Sequence, residues 1–221
     1  MSMRSCIVGA CMALVALLAF PAVAEDTVTE EAESDPHAHH REMMKAKAEQ
    51  KAQAAILEIR DAQLIDQDGE TKSLSSDIVG DRIVVVDFIY TTCTTVCPVL
   101  SAVLMQVQDE LGDRLGTEVM LVSISVDPQR DTSARLKDYA KKLRARDGWM
   151  WLTGDKLAVD DVLKDFGAYT PNFEDHPAMV LVGDGTTGEW SRFLGFPGAN
   201  HIVDKINEFA AARSAQSAVR E

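Results

Sequence analysis

Cys93 and Cys97 stand four apart in DFIYTTCTTVCPVL, Asp87 to Leu100, directly after an apolar run and directly before Pro98. Two thiols at that spacing can close a structural disulfide, exchange disulfides with another protein, or hold a soft metal ion. On a helix, residues four apart share a face, so two thiolates there can converge on one ion. A disulfide is also feasible, because four helical residues separate the Cα atoms by about 6 Å. Such a bond would close a loop of only a few residues and remove little unfolded-state entropy, which makes it a poor staple. The location favours a working site. The pair follows a strand-like run and opens a helix-like one, and reactive groups in open α/β sheets gather at the carboxyl ends of strands. A helix N-terminus adds unpaired N–H groups and a partial positive charge, both of which favour thiolate over thiol.

Two thiolates usually need a third ligand to make a metal site. The chain has 5 histidines: His37, His39, His40, His176 and His201. His176 stands out because NFEDHPAMVLVG places it just before a strand that should pair near the cysteine strand. In a thioredoxin-like fold the loop entering that strand faces the cysteine helix, and Pro177 falls where that fold has a cis proline, the one residue type that permits cis cheaply. A Cys2His set with soft sulfur suits Cu(I) strongly and Zn(II) reasonably. Read by itself, His176 is a loop cap before it is a ligand. Thioredoxin-like oxidoreductases place their cysteines three apart. The wider gap here leaves redox chemistry possible and gives more room to a metal.

The elements that must position these residues alternate between strand and helix. AQLIDQDGETKSL reads as a β-hairpin with Asp68-Gly69 at its turn. Ile83 to Tyr90 is a continuous β-branched run, as in a central buried strand. A helix follows from about Pro98 to Leu111, with Leu100, Leu104, Val107 and Leu111 on one face. Glu118 to Asp127 is a second buried strand, Thr132 to Leu143 a helix, and GWMWLTG a short extended piece. Asp155 can cap the next helix, which runs to about Phe166. AMVLVG and GEWSRFLG form another hairpin, and a last helix spans about Asn200 to Ala212. Such an order implies a three-layer α/β sandwich, with the first hairpin as an N-terminal extension.

The N-terminus reads as an export signal: Arg4, an apolar core from Cys6, and a small-x-small site at Ala22-Val23-Ala24. Cleavage is expected before Glu25 by the general secretion route. An uncleaved inner-membrane anchor is one alternative, since Cys6 to Ala24 is just long enough to span a bilayer, and a lipoprotein signal is another, since Val8-Gly9-Ala10-Cys11 loosely matches one although the apolar core before it is short. Residues 25–53 form an acidic, then His- and Met-containing linker, with Arg41 to Ile59 rich in helix formers and read as a short helix. Residues 54–212 form the domain and 213–221 a tail. Cys6 and Cys11 lie in the signal, so the exported chain keeps only Cys93 and Cys97. The net charge of -13 argues against nucleic acid as a partner.

The sequence resembles the Sco/SenC family of exported copper chaperones over roughly Ala62 to Ala212. FIYTTCTTVCP is similar to that family's strand-then-CxxxCP signature. VDPQRDTSARLKDYA, Val126 to Ala140, resembles its Asp-Pro-x-Arg-Asp-Thr segment and following helix, and WLTGD with the helix ending at Phe166-Gly167 also fits. The resemblance implies a thioredoxin-like fold and a part in assembling the binuclear copper centre of cytochrome c oxidase. It places Cys93, Cys97 and His176 on the family's three copper ligands, for Cu(I) or Cu(II). Two departures stand out. Gln129 occupies a place where Glu is frequent, and Pro177 one where Ser or Thr is frequent.

On this reading the protein is a periplasmic copper metallochaperone, not an enzyme in the strict sense. Its partner would be oxidase subunit II or another copper-accepting protein, with periplasmic copper carriers or thiol reductants as further contacts. The alternative is a thiol–disulfide oxidoreductase in which Cys93 attacks a target disulfide and Cys97 resolves the mixed disulfide, keeping the partner's copper-ligand cysteines reduced. Copper binding should need His176, whereas exchange needs mainly the cysteines. A peroxidase of the same fold is weaker: Thr94 lies three before Cys97, but position 90 is Tyr where that motif has proline. His37, His39, His40, Met43 and Met44 read as a solvated linker before they read as a second soft-metal site. Asp127, Arg130 and Asp131 follow a strand end and could shape the rim of the site, but are expected first to set a turn, with Asp131 or Thr132 capping the following helix. His201 is read as a surface residue, and Trp149, Trp151 and Trp190 as packing residues.

Overall fold

The computed structural model describes residues 52–220. Eight strands form one mixed sheet in the order β1-β8-β7-β4-β5-β6-β2-β3. They are β1 (Gln53–Ala55), β2 (Gln63–Asp66), β3 (Thr71–Ser73), β4 (Ile83–Ile89), β5 (Val119–Ser125), β6 (Trp149–Thr153), β7 (Met179–Asp184) and β8 (Glu189–Leu194). Every residue of β4, β5 and β7 is buried, which is why these segments read as unbroken apolar runs and not as alternating ones. Strand β4 sits between parallel β5 and antiparallel β7, in register from Ile83↔Val119 to Ile89↔Ser125 on one side and from Ile83↔Asp184 to Asp87↔Val180 on the other.

Four helices cover the sheet: α1 (Val96–Leu111), α2 (Ser133–Lys142), α3 (Lys156–Phe166) and α4 (Ala199–Arg220). Ile83, Val85 and Ile89 face α1, α2 and α4, whereas Val84, Val86 and Phe88 face α3 and a π-helical turn at Leu74–Val79. These are the two faces of a single pleated strand, and each buried aliphatic side chain contributes about 1.5–3 kcal/mol by leaving water. The result is the expected three-layer α/β sandwich. Asp155 caps α3 by accepting from the Leu157 and Ala158 N–H groups. The hairpin β2–β3 turns at Asp68-Gly69, where Gly69 takes φ +88°, and it joins the sheet antiparallel to β6.

Three expectations are corrected. Arg41 to Ile59 read as a helix, yet Gln53–Ala55 is strand β1, paired with Arg192, Ser191 and Trp190 of β8; residues 41–51 lie outside the described residues. Backbone pairing to a sheet edge overrides weak helix propensity. The last helix does not stop at Ala212 but runs to Arg220, so the expected tail is largely helical. Residues 213–220 contain neither Gly nor Pro, and Arg213 is held by the buried Asp184 through bonds of 2.9 and 2.5 Å. Finally, the described residues contain no cis peptide bond, so Pro177 is trans. His176 before it is extended at φ −60°, ψ 141°, the conformation a pre-proline residue favours.

Candidate metal centre

Strand β4 ends at Ile89 and α1 begins at Val96, two residues before the expected Pro98, so Cys97 lies in the first helical turn. Cys93 lies in the intervening loop, where its N–H donates to the Tyr90 carbonyl at 3.0 Å. The N-cap position belongs to Thr95, but its side chain makes no capping bond. Instead the Cys97 N–H donates to Cys93 Sγ at 3.4 Å, so a sulfur takes up one of the orphan amides of the helix. Cys93 Sγ also lies 3.9 Å from Thr95 Oγ1. Both cysteines are free and buried.

This geometry splits the two thiols. Burial pushes the Cys93 thiol up, but hydrogen bonds from the Cys97 side chain, the Cys97 and Thr95 amides and Tyr90 outweigh it and bring it down to about 7. Burial pushes the Cys97 thiol well above its ordinary range, and the adjacent Cys93 adds to the rise. The Tyr90 hydroxyl is pushed up to about 12, first by burial and then by its bond to Cys93. One sulfur is thus ready as a thiolate near neutrality and its neighbour keeps its proton.

His176 follows a 3₁₀ turn at Phe173–Asp175, capped by Asn172, and leads into β7. Its ring is buried with both nitrogens facing carbonyls: Nδ1 is 2.8 Å from Phe173 O and Nε2 is 3.3 Å from Phe88 O. A neutral imidazole donates from one nitrogen only, and the shorter contact suits the proton on Nδ1, leaving the Nε2 lone pair for a ligand. Tyr90 stands edge-on to both Phe173 and His176, with centroids 5.1 and 5.8 Å apart. The structure therefore brings Cys93 and Cys97 together and sets His176 beside Tyr90 of the same loop. Among the described residues, no three His, Cys, Asp or Glu side chains are grouped closely enough to hold one ion.

The remaining sequence-derived candidates fall elsewhere. Thr132 caps α2 by accepting from the Arg135 N–H, while Asp131 turns inward to Thr91 and Ser125. Trp149, Trp151 and Trp190 are buried, as packing residues should be, and Trp149 stacks on Trp151 at 5.0 Å. His201 is half-buried in the first turn of α4. His37, His39, His40, Met43 and Met44 lie outside the described residues. Asp87 was missed. It is fully buried in β4, accepts from Ser123 Oγ at 2.5 Å, and leaves its second oxygen without a partner. Burial pushes its carboxyl up to about 7 against the opposing Ser123 bond. A single acid inside an unbroken apolar run was the signal that could have found it.

Fold and site together define the class: a thioredoxin-like α/β domain with paired cysteines at a strand–helix junction. Comparison with known proteins gives the family. The SCO1/SenC family model matches residues 50–210, most of the chain, and the protein belongs to that family. The SCO1 protein homolog of Bacillus subtilis is 34% identical over 117 residues, 52% of this chain and 59% of its own length. ScoI of Bradyrhizobium japonicum, solved with copper bound, aligns with a TM-score of 0.58 and 26% identity over 70% of this chain and 99% of that one. A SCO1/SenC family lipoprotein from Bacillus anthracis aligns with a TM-score of 0.62 and 24% identity over 72% of this chain and 98% of that one, a likeness of fold. The chain spans about half the length of the curated relatives it matches.

Proposed function

We propose that the protein is an exported, periplasmic copper-binding metallochaperone that passes its ion to the binuclear copper centre of cytochrome c oxidase subunit II. Cys93 and Cys97 would bind the ion as thiolates, with His176 Nε2 as the third ligand. The observation that carries this reading is the contact between the Cys97 amide and Cys93 Sγ, which keeps two buried sulfurs side by side at a helix N-terminus. The copper-bound relative from Bradyrhizobium japonicum supports the choice of metal, and soft thiolate with imidazole suits Cu(I). Uptake would displace the Cys97 proton and whatever fraction Cys93 still holds, so binding releases protons and strengthens as pH rises. His176 would swing its ring off the Phe88 carbonyl to reach the sulfurs. Release to the partner would then proceed by ligand exchange, with the histidine ring returning to its buried place beside Tyr90.

The split between the two thiols also favours a second reading, thiol–disulfide exchange. A Cys93 thiol brought down to about 7 is a competent nucleophile and a protonated Cys97 a waiting resolving thiol. The test is an anaerobic Cu(I) titration of the reduced exported protein beside Cys93→Ser, Cys97→Ser and His176→Ala. One tight equivalent that needs all three residues supports the chaperone. Weak binding indifferent to His176, with rapid exchange against a model disulfide, supports the oxidoreductase.

A further inference from the structure

Asp131 is 1% exposed, and among the described residues no basic side chain is hydrogen-bonded to it. Its Oδ1 accepts from the Thr91 hydroxyl at 2.5 Å, and its Oδ2 accepts from the Thr91 N–H at 3.0 Å and the Ser125 hydroxyl at 2.8 Å. Three donors converge on this one buried side chain, two of them from Thr91. Helix capping does not account for it, because Thr132 caps α2. Asp155 makes the contrast: it caps α3 from an exposed position and reaches nothing beyond the Leu157 and Ala158 amides.

What Asp131 reaches is the cysteine loop. Thr91 lies two residues before Cys93, and Thr92, Thr94 and Thr95 beyond it are exposed. Strand β4 is tied to the β5 side by the Val126 N–H to Ile89 carbonyl bond at 2.8 Å, and there the backbone ladder stops. The chain from Tyr90 to Thr95 then has its own turn, Cys93 N–H to Tyr90 carbonyl, and the Asp131 bonds to Thr91. Ser125 completes the brace, since its hydroxyl donates to Asp131 while accepting from the Asp127 N–H at 3.1 Å. The turn itself is closed by Arg130 and Asp131 N–H bonds to the Asp127 carbonyl.

We propose that Asp131 is a positioning residue of the metal-binding loop: through Thr91 it fixes the loop that presents Cys93 to Cys97, and so sets how long a bound ion is held. The proposal rests on the copper reading above. Losing the brace would free the loop while the cysteine of α1 stays in place, so the two sulfurs would part more often and the ion would leave faster. Thr91→Val removes the side-chain bond and keeps the shape. Asp131→Asn keeps the shape but leaves one acceptor oxygen for the Thr91 N–H and the two hydroxyls, one of which must turn to accept from the amide. Because both substitutions weaken the Thr91–Asp131 connection, and Thr91→Val removes only a part of what Asp131→Asn disturbs, their effects should add less than fully.

The experiment uses the reduced exported protein, Thr91→Val, Asp131→Asn and the double variant, with melting temperature recorded for each. Two quantities are read: hydrogen exchange of amides 91–97 without metal, and the rate at which a Cu(I) chelator withdraws the ion. The expected result is faster exchange confined to that loop and withdrawal faster by up to roughly tenfold, with Thr91→Val the milder single variant and the double variant no worse than Asp131→Asn. Should Asp131→Asn fail to fold, Thr91→Val alone carries both readouts. Loop exchange unchanged in a folded variant overturns the proposal, as does faster exchange with an unchanged withdrawal rate or fully additive effects. A wild-type protein that takes up no copper refutes the proposed function instead, and the exchange data alone then judge whether Asp131 holds the loop.

Discussion

The two arms of the candidate site are built differently. The cysteine arm is β4, a loop and α1: a fully buried central strand delivers the loop, and the helix amide of Cys97 meets Cys93 Sγ at 3.4 Å. The histidine arm is a 3₁₀ turn entering β7, and its ring is engaged with two backbone carbonyls and the edge of Tyr90. One arm has its donors side by side before any ion arrives. The histidine stands apart from them, edge-on to Tyr90, with one hydrogen bond from Nδ1–H to the Phe173 carbonyl. On the proposed copper reading, the difference would ease release, because the third ligand is not grouped with the sulfurs beforehand.

The sharpest way to break this contrast is at the ligands. Cys93→Ser or Cys97→Ser should weaken Cu(I) binding on the order of a thousandfold or more, and His176→Ala by roughly 10–100-fold. Competition against a Cu(I) chelator measures both. Equal losses at all three positions would mean that the arms are equivalent.

The far end of β7 offers a control on stability. Arg213→Ala strips the buried Asp184 of its ion pair and should cost about 2–3 kcal/mol by urea unfolding, allowing for the partial exposure of Arg213. Copper affinity should hold, since the cysteine arm does not depend on α4 beyond Ala212. The Asp184 carboxyl is itself held below its ordinary range by Arg213 and the Thr186 and Thr187 amides, which outweigh burial, so this contribution fades as the solution is acidified.

Beneath the cysteine arm, Asp87 should act with the opposite sign. Its folded-state carboxyl is raised to about 7, against about 4 when unfolded, so the folded protein binds the extra proton. Stability from this group is fully present below pH ~4 and is lost as pH rises through 7. Asp87→Asn should therefore raise unfolding free energy at pH 8 by about 1–3 kcal/mol and do little at pH 4, checked by urea titration at both values. The smallest effect is expected at Tyr90. Tyr90→Phe removes a hydrogen bond that lowers the Cys93 thiol, so alkylation of Cys93 at pH 7 should slow by less than about threefold.

Much of this was legible in the sequence, and the reasons are local. Unbroken apolar runs marked β4, β5 and β7, apolar spacing marked α1, and the expected caps, Asp131 or Thr132 for α2 and Asp155 for α3, marked the next two helices. The paired cysteines at a strand–helix junction were equally plain. What escaped depends on contacts between distant segments. Strand β1 exists because Gln53–Ala55 pairs with Trp190–Arg192, and α4 lengthens where Arg213 meets Asp184. His176 could be named as a candidate, but not its carbonyl partners at Phe88 and Phe173, which lie on different segments. Asp131 passed for a cap because its real partner, Thr91, is forty positions away. Asp87 hid within a run whose other members were all read as core.

The most direct test is X-ray absorption of the copper-loaded protein beside its His176→Ala variant. The account expects two sulfurs and one imidazole nitrogen around the ion, with the imidazole signal lost and both sulfurs kept in the variant. An imidazole signal that survives His176→Ala, or a first shell with fewer than two sulfurs, would contradict it.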